Sequence, residues 1–346
     1  MNWMIYGANG YTGELVAREA VKQGERPILA GRSPEKIEPL ARELGLESRI
    51  FDLDAPRLEG VDAVLHCAGP FSKTSKPMVD ACMNAGAHYL DITGELTVFE
   101  AVLGRHDEAV RRGVTLLPGV GFDVVPTDCL AAMLAKKLPG ADELDLAFWM
   151  HRGGISPGTM KTSIEGMATG GAMRRDGRIV RVPILHDARE IAFSGGTRYA
   201  ATIPWGDVST AYYTTGIPNI RVYSARSKKD VNRARRLRPL MPLLAIPFIN
   251  RLLQKYVSRR PGPSAERRAG GRVYLWGRVA KRGGEEVTMT MEAPEGYTFT
   301  VASSLRAVKQ LRACEKRPGA YTPAVFFGEN FALDCGAALK STQTRQ

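Results

Sequence analysis

A short apolar strand that runs straight into a glycine turn opens this chain, and it constrains the fold more than any other feature. Met1 to Tyr6 reads as the strand, and Gly7-Ala-Asn-Gly-Tyr-Thr-Gly13 follows with GxxGxxG spacing. Leu15, Val16, Ala20 and Val21 then fall at helical spacing, Gly24 stops the helix, and Pro27-Ile-Leu-Ala30 restarts a strand. A strand–turn–helix unit of this kind cradles a nucleotide phosphate. Gly7 permits the tight exit from the strand, Gly10 lets a pyrophosphate approach bare backbone, and Gly13 allows the helix to sit close to the sheet. Asn9, Tyr11 and Thr12 lie in the same turn and are read with it as cofactor-binding positions. The competing reading is a tight turn with no ligand.

The end of the second strand selects the dinucleotide. An acidic residue there binds the ribose 2′-hydroxyl of NAD, whereas an arginine accommodates the 2′-phosphate of NADP. Here Gly31 is followed by Arg32 and Ser33, a guanidinium and a hydroxyl, so the expected cofactor is NADP(H). Ser33 before Pro34 also suits a helix N-cap. Arg49 to Asp54 reads as a third strand with Asp52 at the adenine end of the site. Val61 to Cys67 reads as a fourth, emptying into Ala68, Gly69, Pro70 and Phe71, a small-residue turn against which a nicotinamide ribose can lie. A helix is expected from near Pro77 to Gly86, a fifth strand over 88–92, a helix between Glu95 and Gly113, and a sixth strand over 114–117. This alternation implies right-handed crossovers and an α/β, Rossmann-type doubly wound parallel sheet.

These segments also carry a family likeness. Residues 7–13, Ala30-Gly-Arg-Ser33, Ala68-Gly-Pro-Phe71, Ala87 to Glu95 and Pro118 to Asp128 together resemble the saccharopine dehydrogenase-like superfamily. Within it, the chain is most similar to the subgroup of trans-acting enoyl reductases of mycobacterial lipid synthesis. The likeness continues through Gly158-Thr159, Gly170-Gly171, Arg174 to Gly177, Gly262 to Arg267 and Thr322-Pro323. It implies that Asp91, Gly94 and Glu95 lie near the dinucleotide cleft, and that the end of the chain returns to the nucleotide domain. That domain would then comprise 1–122 plus about 319–346, with Gly121 as its last cofactor-binding position at the junction and a substrate domain over 123–318. The superfamily includes amino-acid dehydrogenases and polyamine-pathway enzymes, so kinship alone does not fix the reaction.

A chain of 346 residues, 44% hydrophobic, suits two domains with a substantial core. The N-terminus enters a strand at once, leaving no room for a signal peptide, and the expected location is cytoplasmic. Cys67, Cys82, Cys129, Cys314 and Cys335 are widely spaced with no CxxC pair, which argues for a reducing compartment and against a zinc site. Thr127 or Asp128 is expected to cap a helix reaching Lys137. Beyond Leu144, the segments 144–149, 216–223, 271–276 and 287–291 suggest a mixed or antiparallel sheet with helices over one face, an α+β substrate and dimerisation domain. The last helix is expected to start at Thr322 and Pro323 and to carry Val325, Phe326, Phe327 and Phe331.

Charge is unevenly placed. Residues 1–150 hold 15 basic and 22 acidic side chains, and residues 151–346 hold 33 and 14; 18 basic and 2 acidic ones fall within 221–282 alone. Inside that span, Leu240 to Ile249 is apolar but far shorter than the about 20 residues a bilayer crossing needs. Flanked by Arg233, Arg235, Arg236, Arg238, Arg251, Lys255, Arg259 and Arg260, it can meet an anionic membrane surface peripherally or an acidic acyl carrier; a solvated face over core or dimer contacts is the plainer reading. Nucleic acid is not expected, for want of a binding motif or a stacking aromatic series.

Hydride transfer needs a group that stabilises charge or supplies a proton as the reaction proceeds. Lys73, just after the Ala-Gly-Pro-Phe turn, and Asp123, at the domain junction, are the two catalytic candidates. Their plainer readings are a solvent-facing lysine and a turn carboxylate. No histidine–carboxylate spacing suggests a metal. The expectation is an NADPH-dependent reductase of an unsaturated, hydrophobic, enoyl or lipid-like substrate, in a homodimer. A saccharopine-type C–N dehydrogenase acting on an amino-acid-derived imine and a non-catalytic NADP-binding adaptor stay open beside it.

Overall fold

The computed structural model describes residues 1–162, 170–239, 246, 248, 256, 262–314 and 317–345. Its first half is a parallel sheet of β1 (Trp3–Tyr6), β2 (Ile28–Gly31), β3 (Ser48–Ile50), β4 (Ala63–His66), β5 (His88–Asp91) and β6 (Thr115–Leu117). These alternate with α1 (Tyr11–Lys22), α2 (Pro34–Leu44), α3 (Phe71–Ala85), α4 (Leu96–Leu103) and α5 (His106–Arg112). Alternate residues of β1 feed opposite cores, as a strand buried on both faces requires. Trp3 and Ile5 pack with Val16, Ala17 and Ala20 on one side, Met4 and Tyr6 with Met78, Val79 and Phe99 on the other. The strand order places β1 between β4 and β2, so the chain departs in opposite directions from neighbouring strands there. A crevice opens at their C-terminal ends, where doubly wound sheets bind nucleotides.

After β6, α6 (Val125–Lys137) leads into a second sheet: β7 (Glu143–His151), β8 (Gly171–Arg175), β9 (Arg178–Val182), β10 (Ala188–Phe193) and β11 (Gly196–Thr202). Then come α7 (Asp207–Thr215), β12 (Asn219–Ala225), α8 (Lys228–Arg236), α9 (Ala265–Ala269), β13 (Arg272–Ala280) and β14 (Glu286–Pro294). The sheet is mixed, with β7 parallel to β12 and antiparallel to β13. Helix α6 is buried on nearly every side because it lies between this sheet and α7. The chain ends with α10 (Gly296–Ala313), β15 (Gly319–Ala320), α11 (Pro323–Phe327), α12 (Phe331–Asp334) and β16 (Ala338–Arg345).

Several expectations need correction. Helix α3 begins at Phe71, well before Pro77, which sits inside it; Glu95 caps the earlier start from another loop, a partner that local sequence does not reveal. Thr127 and Asp128 do not cap α6 but lie buried within it, where Asp128 accepts from the Thr214 hydroxyl at 2.6 Å and the Ala324 amide at 3.1 Å. Of the terminal piece, β15 joins the first sheet beside β6, whereas β16 pairs antiparallel with β14 in the second. Helix α10 lies within 123–318 yet packs on α1, tied by Lys309 to Gln23 at 2.7 Å and by Arg312 to Glu25 at 2.8 Å. Thr322 does cap α11, but Gly328 ends that helix before Phe331. Leu240 to Ile249 lies outside the described residues apart from the exposed Ile246 and Phe248, and so do Arg251, Lys255, Arg259 and Arg260.

Candidate active site

The glycine turn is built for a ligand's backbone approach. Gly7 sits at φ +85°, and a Cβ there would lie 2.8 Å from the Ala68 amide nitrogen, so the turn after β1 and the turn after β4 touch. A Cβ at Gly13 would come within 2.3 Å of the Gly7 carbonyl oxygen. No side chain caps the first turn of α1, which leaves its amides pointing into the crevice at the positive end of the helix. That combination fits a dinucleotide pyrophosphate. Asn9 reaches toward the end of β2, its Oδ1 3.2 Å from where a Cβ on Gly31 would be. Arg32 stands exposed one residue past β2, and both Arg32 and Asp52 act on the Tyr6 hydroxyl, so the ends of β2 and β3 share the adenine side of the crevice. Ser33 occupies the N-cap position of α2 without making a side-chain cap bond.

On the nicotinamide side, Ala68, Gly69 and Pro70 form the turn into α3. Both oxygens of Glu95 accept from the first amides of that helix, Phe71 at 2.7 Å and Ser72 at 2.9 Å. Glu95 thus organises the two loops. Asp91 does the same one strand over: it accepts from the Thr93 amide at 2.9 Å, the Gly119 amide at 2.8 Å and the Tyr89 hydroxyl at 2.7 Å, with its carboxyl pushed up to about 6 by burial. His66 is buried with Nε2 3.0 Å from the Thr74 hydroxyl, and burial drives its pKa down to about 3, so it stays neutral.

Of the two catalytic candidates, the structure places only one in the recess. Lys73 stands exposed on the first turn of α3. Asp123 lies half-buried between β6 and α6, against Gly94, where a Cβ would be 2.7 Å from Asp123 Oδ2. Burial pushes its carboxyl up to about 7, and the Glu95 carboxylate adds to the rise. Next to it, Phe122 packs edge-on against Phe148 and Phe299, and Phe148 against Trp205. Gly121 is pinned from α10, a Cβ there meeting Thr300 at 3.0 Å, and the Phe122 amide donates to the Thr300 hydroxyl at 3.0 Å.

Sequence reading missed the contribution of the α10 N-terminus. Glu295 caps it, its Oε2 accepting from the Tyr297 amide at 3.0 Å and the Thr298 amide at 3.1 Å. Tyr297 accepts at its hydroxyl from the Ser156 amide at 2.7 Å and meets the Thr159 hydroxyl at 3.0 Å; burial raises its pKa, and Asp123 raises it further. Local sequence carried no capping signal there, because Glu295 is not of a residue type that ordinarily marks a helix N-cap. Its distance from the glycine turn in sequence hid the convergence. Among the described residues, no group of three or more His, Cys, Asp or Glu is arranged to hold a metal ion, and no helix is long and apolar enough to cross a membrane.

Residues 3–117 match the saccharopine dehydrogenase NADP-binding domain. The chain is 27% identical over 202 residues to a saccharopine dehydrogenase-like oxidoreductase of Homo sapiens, covering 50% of this chain and 47% of that one. It is 31% identical over 199 residues to a trans-acting enoyl reductase of Mycobacterium bovis, covering 52% and 48%. The chain therefore spans about half the length of the curated relatives it matches. Apo histidine-tagged saccharopine dehydrogenase (L-Glu forming) from Saccharomyces cerevisiae superposes over 100% of both chains with a TM-score of 0.66 at 13% identity, a likeness of fold alone.

Proposed function

We propose that this protein, whose residues 3–117 match the saccharopine dehydrogenase NADP-binding domain, is an NADPH-dependent oxidoreductase that reduces an unsaturated, hydrophobic, enoyl-type group. The placement of Asp123 carries the reading: a half-buried acid at the crevice, with the rings of Phe122, Phe148, Phe299 and Trp205 packed beside it. Residues of the glycine turn would hold the pyrophosphate, Arg32 and Ser33 the 2′-phosphate, and Ala68 to Phe71 the nicotinamide ribose. Bound NADPH supplies the hydride. The chain supplies the proton, because a carboxyl pushed up to about 7 remains protonated in a large share of molecules at neutral pH. The buried rings of Phe122, Phe148 and Phe299 keep water from that side of the acid, and the half-buried Trp205 offers an acyl chain apolar contact. The name of the mycobacterial relative supports the same reaction class.

An amino-acid-derived imine would bring carboxylates toward Asp123, on which the Glu95 carboxylate already acts. That electrostatic setting favours the uncharged enoyl group. Chain-length dependence tests the proposal. With α,β-unsaturated thioesters of increasing length, NADPH consumption should give a rising kcat/KM, since each methylene that finds apolar contact contributes about 0.8 kcal/mol. Turnover confined to an amino acid with an oxo acid would refute it, and NADPH binding without turnover on any acceptor would favour the adaptor reading instead.

A further inference from the structure

The second domain reaches the glycine turn through a short strap, residues 262–269. The Tyr11 hydroxyl donates to the Pro263 carbonyl at 2.6 Å. Arg268 donates from Nη1 to the Tyr11 hydroxyl at 2.7 Å and to Pro263 O at 2.9 Å. The contact is close-packed: a Cβ at Gly262 would lie 2.3 Å from the Tyr11 ring, and Tyr297 meets that ring edge-on with centroids 4.9 Å apart. Tyr11 is the first residue of α1, a helix whose N-terminus no side chain caps, so the strap brings a guanidinium onto the side-chain hydroxyl of a glycine-turn residue.

A cation beside a turn that feeds the positive end of a helix suits an anion held between the two. Two carboxylates act on Arg268, the exposed Glu266 and Glu295, but Glu295 Oε2 is committed to the α10 amides and no hydrogen bond among the described residues joins either acid to the arginine. The adjacent Arg267 is exposed, whereas Arg268 is half-buried and turned inward. We propose that Arg268 is a cofactor-positioning residue: with the first-turn amides of α1 it holds the pyrophosphate of the bound dinucleotide, so that cofactor binding and docking of the strap are one event. The assignment rests on NADP(H) as cofactor and is independent of the substrate.

Fluorescence titration of NADPH, NADH and adenosine 2′-monophosphate against the full chain tests it. Arg268→Ala should weaken NADPH and NADH by the same factor, about tenfold, the scale of one charge-assisted hydrogen bond. Adenosine 2′-monophosphate, which lacks the pyrophosphate, should bind as before, and Arg267→Ala should change nothing. Tyr11→Phe keeps the ring packing and removes the hydroxyl tie, so it should weaken both dinucleotides by a smaller common factor. Arg268→Lys should recover part of the loss. Unchanged dinucleotide affinity in Arg268→Ala would overturn the proposal, and so would a loss confined to NADPH or one shared by adenosine 2′-monophosphate. If Arg268→Ala fails to fold, the Tyr11→Phe and Arg268→Lys titrations decide by the same criteria.

Discussion

The carboxyl of Asp123 lies against the backbone of Gly94 so closely that a Cβ at position 94 would stand 2.7 Å from Oδ2. Gly94→Ala should therefore displace the acid without touching the glycine turn, lowering kcat by about tenfold or more through misplacement alone. Asp123→Asn should lower it by about 10² to 10⁴, the usual contribution of a positioned acid, with little change in NADPH affinity. The pH profile has a definite sign. If Asp123 supplies the proton, the protonated form is the working one and kcat should fall as pH rises through about 7. Folding raises this carboxyl from 3.8, so its contribution to stability is complete below that value and is lost as pH rises through about 7. Urea midpoints should show that slope in the unmutated protein and a flatter one in Asp123→Asn.

Cofactor preference turns on Arg32. It stands exposed at the end of β2 and should pair with the 2′-phosphate, making NADPH bind more tightly than NADH. Arg32→Ala should erase most of that difference, about 1.5–3 kcal/mol. Equal affinities of the unmutated protein for the two dinucleotides would refute the assignment.

Glu95 tests the distinction between holding a ligand and holding a loop. Because both oxygens are taken by α3 amides, Glu95→Ala should destabilise the protein by about 1–3 kcal/mol through unsatisfied donors. Thermal unfolding would register this, while the ratio of NADPH to NADH affinity should stay as it was. A change in that ratio with no change in Tm would place Glu95 on the cofactor instead.

The sequence was most legible where structure is local. The strand–glycine–helix unit, Arg32 at a strand end and the alternation of β1 to β6 follow from contacts a few residues apart. What was missed depends on distant pairs: the early start of α3, set by Glu95; the inward turn of Asp128, set by Thr214 and Ala324; and the approach of Tyr297 and Arg268 to Tyr11. Strands β8 to β11 escaped notice because their short segments carry little apolar alternation, and β10 and β11 owe their register to each other.

The basic region is also less exposed than its composition suggests. Arg221 and Arg278 engage the buried Asp145, with Arg221 Nε 2.7 Å from Oδ1, while Arg235 and Arg238 turn back to carbonyls of residues 184–186. Arg233 and Arg236 remain exposed on α8. If this surface meets anionic lipid, Arg233→Glu with Arg236→Glu should reduce co-sedimentation with anionic vesicles without unfolding the chain, each charge near the membrane being worth about 1 kcal/mol. Binding that persists unchanged in the double variant would assign these arginines another role.

The reaction class is tested most directly by the fate of the hydride. NADPH carrying deuterium at the transferable position should deliver it to the β-carbon of a long-chain α,β-unsaturated thioester, with a solvent proton appearing at the α-carbon and located by mass spectrometry. Deuterium on a carbon bonded to nitrogen, from an amino acid and an oxo acid, with none incorporated into the thioester, would contradict the account.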